Sequence, residues 1–371
     1  MKFRFDRQEM GDALRTVAPV ANPRSPKDVL KCVHLDVKSD VVLLSATDQE
    51  LGIRHAVSQV EVDETGEVLV SADTFAKIVT ETTDDVLNIE LVDKILHVRG
   101  SGSHFQIVTR DTADFPPVPI MEGDPSLTIG MSDLSRMIEW TVFSAAREST
   151  RYAINGVLWE VDGETLTMAA TDGRRLSLAR GKIESAKAEA RPQAIVPGKA
   201  LSLLAKLPAD AETRVGITVT SNQFLADVGR AQISSTLVEG HFPKYQDVIP
   251  TDCDRMVVLN TNEFLHATKQ AALLTNEESK GVRLALSDGE LTLSSRAPEQ
   301  GEATVSLPVK YSGEPLEIGF NPVFLTDVLR IAHEDDVTLE LAKPNRPGVI
   351  RIGDDFVYVV MPVNLASGAA R

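Results

Sequence analysis

The chain has 371 residues, a length that at roughly 100 to 200 residues per domain predicts two or three domains and excludes a peptide-like or disulfide-stapled molecule. Hydrophobic residues make up 43% and charged residues 25%, a globular composition well away from that of disordered chains. Lys and Arg number 38 against 54 Asp and Glu; the formal charge of -16 makes the surface as a whole repel nucleic acid and anionic membrane unless cations gather on one face.

Two cysteines, Cys32 and Cys253, are too few for a disulfide framework and fit a reducing cytoplasm. The opening Met-Lys-Phe-Arg-Phe-Asp-Arg lacks the apolar stretch of a signal peptide, and no run of about 18 apolar residues occurs. A soluble, cytoplasmic protein with no membrane partner is expected.

In chain order, Met10, Ala13, Leu14, Val17 and Ala18 form one apolar helix face behind a cap at Asp6. An alternating strand follows at residues 41–46, then a second short helix (Phe75, Ile78, Val79) after Ser71 and a strand at 95–98. The pattern returns with a period near 125 residues. Leu134, Met137, Ile138, Val142 and Ala145 repeat the first helix behind a cap at Ser132, and Ala200, Leu203, Leu204 and Leu207 repeat the second after Pro197-Gly198. A third copy has Phe264, Leu265, Ala271 and Ala272 after Asn260 or Thr261, then Leu325, Val328, Leu329 and Ala332 after Asn321-Pro322, where proline at the first helical position sacrifices no hydrogen bond. Ala46-Thr47-Asp48 recurs as Ala170-Thr171-Asp172, and Asp162-Gly163 as Asp288-Gly289.

Three units of equal length, at residues 1–124, 125–251 and 252–371, predict an α+β protein of three repeated domains, each with two helices and antiparallel sheets. Such units form either a linear string or an arc whose sheets continue edge to edge, and an arc closes by a two-fold into a ring that leaves no free strand edge. Helical cations (Arg7, Arg15, Lys77, Lys199, Lys206) and the loop cluster Arg24, Lys27 and Lys31 are interleaved with acids such as Glu9, Asp12 and Glu139, so charge alone does not point to DNA.

The sequence carries no recognisable catalytic constellation. No pair among the seven histidines has the helical spacing of a metalloprotease, and His97 and His104 read as surface or edge residues flanking the hairpin turn Gly100-Ser101-Gly102. Asp48 and Asp172 read as turn-capping carboxylates, because they fall in separate repeats. No metal, cofactor or enzymatic activity is expected. Thr171-Asp172-Gly173-Arg174-Arg175-Leu176 and the apolar terminus Val359-Val360-Met361-Pro362-Val363 read equally as core strands or as the walls of a peptide groove.

Arg151-Tyr152-Ala153-Ile154-Asn155-Gly156, Ala170-Thr171-Asp172-Gly173-Arg174-Arg175-Leu176, Gly240-His241-Phe242-Pro243-Lys244-Tyr245, Ala297-Pro298-Glu299-Gln300, Ile318-Gly319-Phe320-Asn321 and Tyr358-Val359-Val360-Met361-Pro362, in this order and spacing, resemble the bacterial DNA polymerase III beta subunit, the sliding-clamp family. The resemblance implies a head-to-tail homodimeric ring, helices inside, that encircles double-stranded DNA without sequence preference. Such a ring tethers the polymerase alpha subunit, is loaded by a clamp-loader ATPase and carries no chemistry of its own.

It further implies a peptide groove between the second and third domains, formed by Ile154, Thr171, Gly173, Arg174, Arg175, Leu176, Pro243, Val248, Asn321, Phe324, Val359, Met361, Pro362 and Val363. Leu176, Val359 and Met361 would be its apolar floor and Arg175 a donor to peptide. Arg24 and Tyr152 would touch DNA, and Phe105, Leu273 and Leu274 would form the dimer contact. Arg174 stands where the family often has histidine and Asp247 where a basic residue is common, while Glu148 and Ala153 suit DNA contact poorly. A monomeric three-domain peptide-binding adaptor that does not encircle DNA is the alternative; a three-domain polysaccharide or nucleotide enzyme would need a carboxylate pair that is not visible.

Overall fold

A computed structural model describes residues 1–146, 152–187, 193–210, 212–275 and 281–364, Tyr152 by its backbone alone. Glu148, Arg151 and the side chain of Tyr152, all singled out above, lie outside this set. The chain packs as two compact units, residues 1–135 with 183–237 and residues 136–182 with 238–371.

Six α-helices are present among the described residues: α1 (Arg7–Val17), α2 (Ala72–Glu81), α3 (Met131–Val142), α4 (Gly198–Leu204), α5 (Thr261–Ala272) and α6 (Pro322–Ile331). Their starts follow local chemistry. Asp6 accepts the Glu9 amide at 2.8 Å, Ser71 the Thr74 amide at 3.4 Å, Asn260 the Glu263 amide at 3.1 Å and Asn321 the Val323 amide at 2.9 Å, each satisfying a first-turn donor. Ser132 is not the cap of α3, because the helix already begins at Met131, whose amide is held by the Thr213 carbonyl at 2.8 Å.

The first unit holds two antiparallel sheets. A five-stranded sheet runs Val60–Glu64, Lys2–Asp6, Val86–Val92, Ile95–Arg99, His104–Val108, so that His104–Val108 is a terminal strand. A nine-stranded sheet crosses from the second repeat into the first where Ala231–Thr236 pairs with Leu51–Val57, Ile233 opposite Ile53. Met10, Ala13, Leu14 and Val17 bury one face of α1, while Phe3, Phe5, Phe75 and Phe224 are almost wholly enclosed. Each such side chain contributes about 1.5–3 kcal/mol of burial.

The second unit repeats this device. One sheet runs Gly156–Asp162, Thr165–Thr171, Arg175–Lys182, then Phe356–Val360, Gly348–Ile352, Asp336–Leu341 and Arg255–Asn260, joining second repeat to third through Arg175–Lys182 against Phe356–Val360. A four-stranded sheet, Gly301–Pro308, Glu290–Ala297, Val282–Ser287 and Leu316–Phe320, ends at Gly301–Pro308. Trp159, Phe264, Phe320, Phe356 and Tyr358 form the aromatic part of the core. Within each unit, a sheet continues edge to edge from one repeat into the next.

Candidate peptide groove at the seam of the second and third repeats

The seam strands are in register with Arg175 opposite Val360 and Leu176 opposite Val359. The turn entering Arg175–Lys182 is built by its own side chains. Thr171 Oγ1 donates to the Arg175 carbonyl at 2.6 Å and accepts the Gly173 amide at 3.0 Å, while Asp172 Oδ1 accepts the amides of Arg174 and Arg175 at 2.9 and 3.1 Å. Gly173 sits at φ 87°. The first repeat makes the same turn: Thr47 donates to the Leu51 carbonyl at 2.9 Å, Asp48 accepts the amides of Glu50 and Leu51, and Gln49 takes φ 80°. Both aspartates are therefore turn caps. Burial alone would raise the Asp48 carboxyl, but hydrogen bonds from Lys199 and from the Leu51 and Glu50 amides outweigh it and hold the group below its ordinary value.

Arg175 is the centre of the seam. Its Nε donates to Asp172 at 3.0 Å, Nη1 to Asp327 of α6 at 2.7 Å and Nη2 to the Phe143 carbonyl at 2.9 Å, with the side chain only 10% exposed. The guanidinium carbon lies 4.6 Å from the Phe324 ring centre and 5.3 Å from that of Phe143, cation–π distances on both. Burial opposes its charge, yet Tyr358 and the two carboxylates raise its pKa further. Tyr358, whose hydroxyl donates to the Phe324 carbonyl at 2.9 Å, is pushed well above the usual phenol range by burial. Much of the guanidinium is thus spent inside the protein, as a positioner of Phe324 and of the turn.

Beyond the seam, the Met361 amide donates to the Arg174 carbonyl at 2.9 Å and the Val363 amide to the Gly319 carbonyl at 2.8 Å, tying the end of the described chain across the third repeat. Met361 is 43% exposed whereas Leu176 and Val359 are each 3% exposed, so of the three residues expected to form the apolar floor only Met361 reaches the surface. Val363 borders a cavity of about 210 Å³ with Gly319, Arg283 and Pro344. Thr171, Gly173, Arg174, Arg175, Leu176, Phe324, Val359 and Met361 are thus gathered by bonds and ring contacts, with Asn321 capping the helix that carries Phe324. Ile154 is buried, Pro362 half-buried, and Pro243 and Val248 exposed on a separate stretch anchored by the Tyr245 hydroxyl, which donates to Glu160 at 2.5 Å. Asp247 and Arg174 are both exposed.

Sequence reasoning did not single out Phe143, Asp327 or Tyr358 for the seam. Asp327 had one usable signal, an acid in the amphipathic helix opened by Asn321-Pro322.

In the first unit Arg24 is exposed in the loop after α1. A cavity of about 800 Å³ between α1 and α2 is lined by Arg15, Lys31 and Lys77 together with Asp73 and Glu81. Each of these cations is paired close by: Arg15 with Asp12, Lys31 with Asp28 at 2.9 Å and Lys77 with Asp73 at 2.8 Å. Phe105 (36% exposed) and Val108 (72%) stand on the terminal strand of the first unit; in the second, Leu273 at the end of α5 is 76% exposed and Leu274 half-buried. Among the described residues no three potential ligands cluster for a metal, and no helix is long and apolar enough to cross a membrane.

The fold is that of the sliding clamps. A crystal structure of a sliding clamp from Pseudomonas aeruginosa bound to griselimycin superposes with a TM-score of 0.92 at 35% identity over 98% of this chain and 100% of that one. A Bartonella birtlesii clamp gives 0.90 at 29%, covering 98% and 100%. Models of the DNA polymerase III beta subunit match in succession: the N-terminal domain over residues 1–119, the central domain over 128–244 and the C-terminal domain over 246–364. The chain therefore belongs to the DNA polymerase III beta subunit family. Beta sliding clamps from Pseudomonas putida and Escherichia coli K12 are 37% and 31% identical over 372 and 370 residues, covering 98% of this chain and 100% of each relative. This family consists of non-catalytic processivity factors of DNA replication, and the likeness extends over nearly the whole chain.

Proposed function

We propose that two copies of the chain close head to tail into a ring around duplex DNA. The ring then tethers the replicative polymerase alpha subunit, the clamp-loader ATPase and other proteins bearing a clamp-binding peptide through the Met361 groove. The gain is one of effective concentration: a trapped tether keeps a dissociated polymerase beside its primer end. Such a protein would work in the cytoplasm, at the nucleoid during replication.

The observation that carries the groove is the pairing of Arg175–Lys182 with Phe356–Val360, which bonds exposed Met361 to Arg174, next in sequence to the Arg175 that stacks on Phe324. Ring closure is supported by the two terminal strands, His104–Val108 and Gly301–Pro308, whose edge amides and carbonyls would pair across a two-fold. The paired cations of α1 and α2 favour weak, salt-sensitive contact with DNA, retention coming from topology.

A fluorescent clamp-motif peptide titrated against the full chain tests the groove. Met361→Ala weakens it about tenfold, roughly 1.4 kcal/mol of lost apolar contact. Arg175→Ala weakens it at least as much by releasing Phe324. Unchanged affinity in both variants would remove the assignment.

A further inference from the structure

One face of the nine-stranded sheet carries an arginine that no neighbouring group engages. His34 of Cys32–Val37 lies opposite Ser45, and Ser45 opposite Arg54 of Leu51–Val57, so strand register sets the three side chains in a row on one face. Arg54 is half-buried. Its Nε is enclosed without an acceptor, and its guanidinium has no hydrogen-bond or ion-pair partner among the described residues. Arginines in such places ordinarily find one, because a partly desolvated charge without a partner is costly.

The connector leaving the first repeat faces this row. Phe115 lies against the His34 ring with centroids 5.2 Å apart. Val118 is 7% exposed and seated against Gly52, where a Cβ would come within 2.8 Å of Val118 Cγ1. Connector and sheet enclose a cavity of about 210 Å³, lined on the sheet side by His34, Ser45 and Arg54 and on the connector side by Phe115, Pro116 and Val118.

We propose that this cavity binds a small free organic carboxylate with an apolar body of ring size, its carboxylate on the Arg54 guanidinium and its body against Phe115 and Val118. Charge selects the head group. Glu67, the one acid among the described residues lining the cavity, is engaged at both oxygens, by His34 Nε2 at 3.1 Å and by Thr112 Oγ1 at 2.9 Å. Arg54 is left as a single unmatched positive charge, which one carboxylate balances. A phosphate dianion would bring a second negative charge beside Glu67, with no lysine or second arginine on the wall to meet it. The planar fork of a guanidinium also matches the two oxygens of a carboxylate. Size selects the body: an apolar cavity of about 150 Å³ holds benzene, so this one has room for a ring and its carboxylate.

The test is titration of the full chain with para-fluorobenzoate, followed by fluorine NMR. The expected result is saturable binding at one site per chain, with the neutral para-fluorobenzamide at least about tenfold weaker through loss of the charge-assisted contact. Arg54→Gln should weaken the benzoate by a similar factor, whereas Arg4→Gln, exposed on the other sheet of this unit, should leave it unchanged. Met361→Ala should also leave it unchanged, which separates this cavity from the peptide groove. The benzamide comparison needs no variant and so stands whether or not Arg54→Gln folds. Equal affinity for benzoate and benzamide, binding that survives Arg54→Gln, binding lost in Met361→Ala, or no binding by the unaltered chain would each overturn the proposal.

Discussion

Arg175 Nη1 and Asp327 Oδ2 stand 2.7 Å apart, joining a strand of the second repeat to a helix of the third. The pair is only partly solvated, with side chains 10% and 26% exposed, and the guanidinium also bridges Asp172 and the Phe143 carbonyl. It holds Phe324 in place while leaving Met361 at the surface.

Removing Asp327 leaves that guanidinium with one carboxylate and a weakened hold on α6. Asp327→Ala should destabilise the second unit by about 2 kcal/mol and Asp327→Asn by about half as much, the range of a charge-assisted hydrogen bond. Tryptophan fluorescence isolates the effect. The chain has two tryptophans, and Trp140 and Trp159 are both buried in this unit. A urea midpoint that does not move in Asp327→Ala would mean the pair is structurally idle.

Gly173 makes a separate prediction. A Cβ there would meet no heavy atom within 4 Å, so the cost of a side chain is conformational alone. Gly173→Ala should cost about 1 kcal/mol for the left-handed backbone and Gly173→Asn less. Gln49 at φ 80° in the equivalent turn of the first repeat shows that a side chain can be carried there. The same fluorescence midpoint checks it; a stabilising Gly173→Ala would contradict the strain argument.

The two turns also show what the sequence could and could not reveal. Ala-Thr-Asp recurs because each aspartate bonds its own neighbours, so the motif is local and its role as a cap was readable. The helix starts at Asp6, Ser71, Asn260 and Asn321 were readable for the same reason. Ser132 misled because a backbone carbonyl, Thr213, does the work at α3 and has no side-chain signature. The seam itself joins strands far apart in the chain, and nothing in the period-two pattern of Arg175–Lys182 specifies Phe356–Val360 as its neighbour. Arg175 was legible as a charged residue near a groove through family resemblance. Its internal partners, Asp327 and Phe143, emerge only once the strands are paired.

Leu273 offers a clean probe of assembly, since a side chain 76% exposed contributes little to the core of its own chain. If the proposed two-fold ring forms, Leu273→Asp should therefore convert the dimer to folded monomers by sedimentation, and Phe105→Asp on the terminal strand should do the same. Dimers of unchanged strength, or aggregation in place of monomers, would argue against these residues as the contact.

The most direct measurement is the release rate of the protein loaded by clamp loader onto nicked circular DNA, compared before and after the circle is cut at one distant site. Mechanical retention predicts slow release from the circle and rapid loss from the ends once it is linear, with little dependence on DNA sequence. Equal rates from both forms would show that the chain is held by contact and not by encirclement.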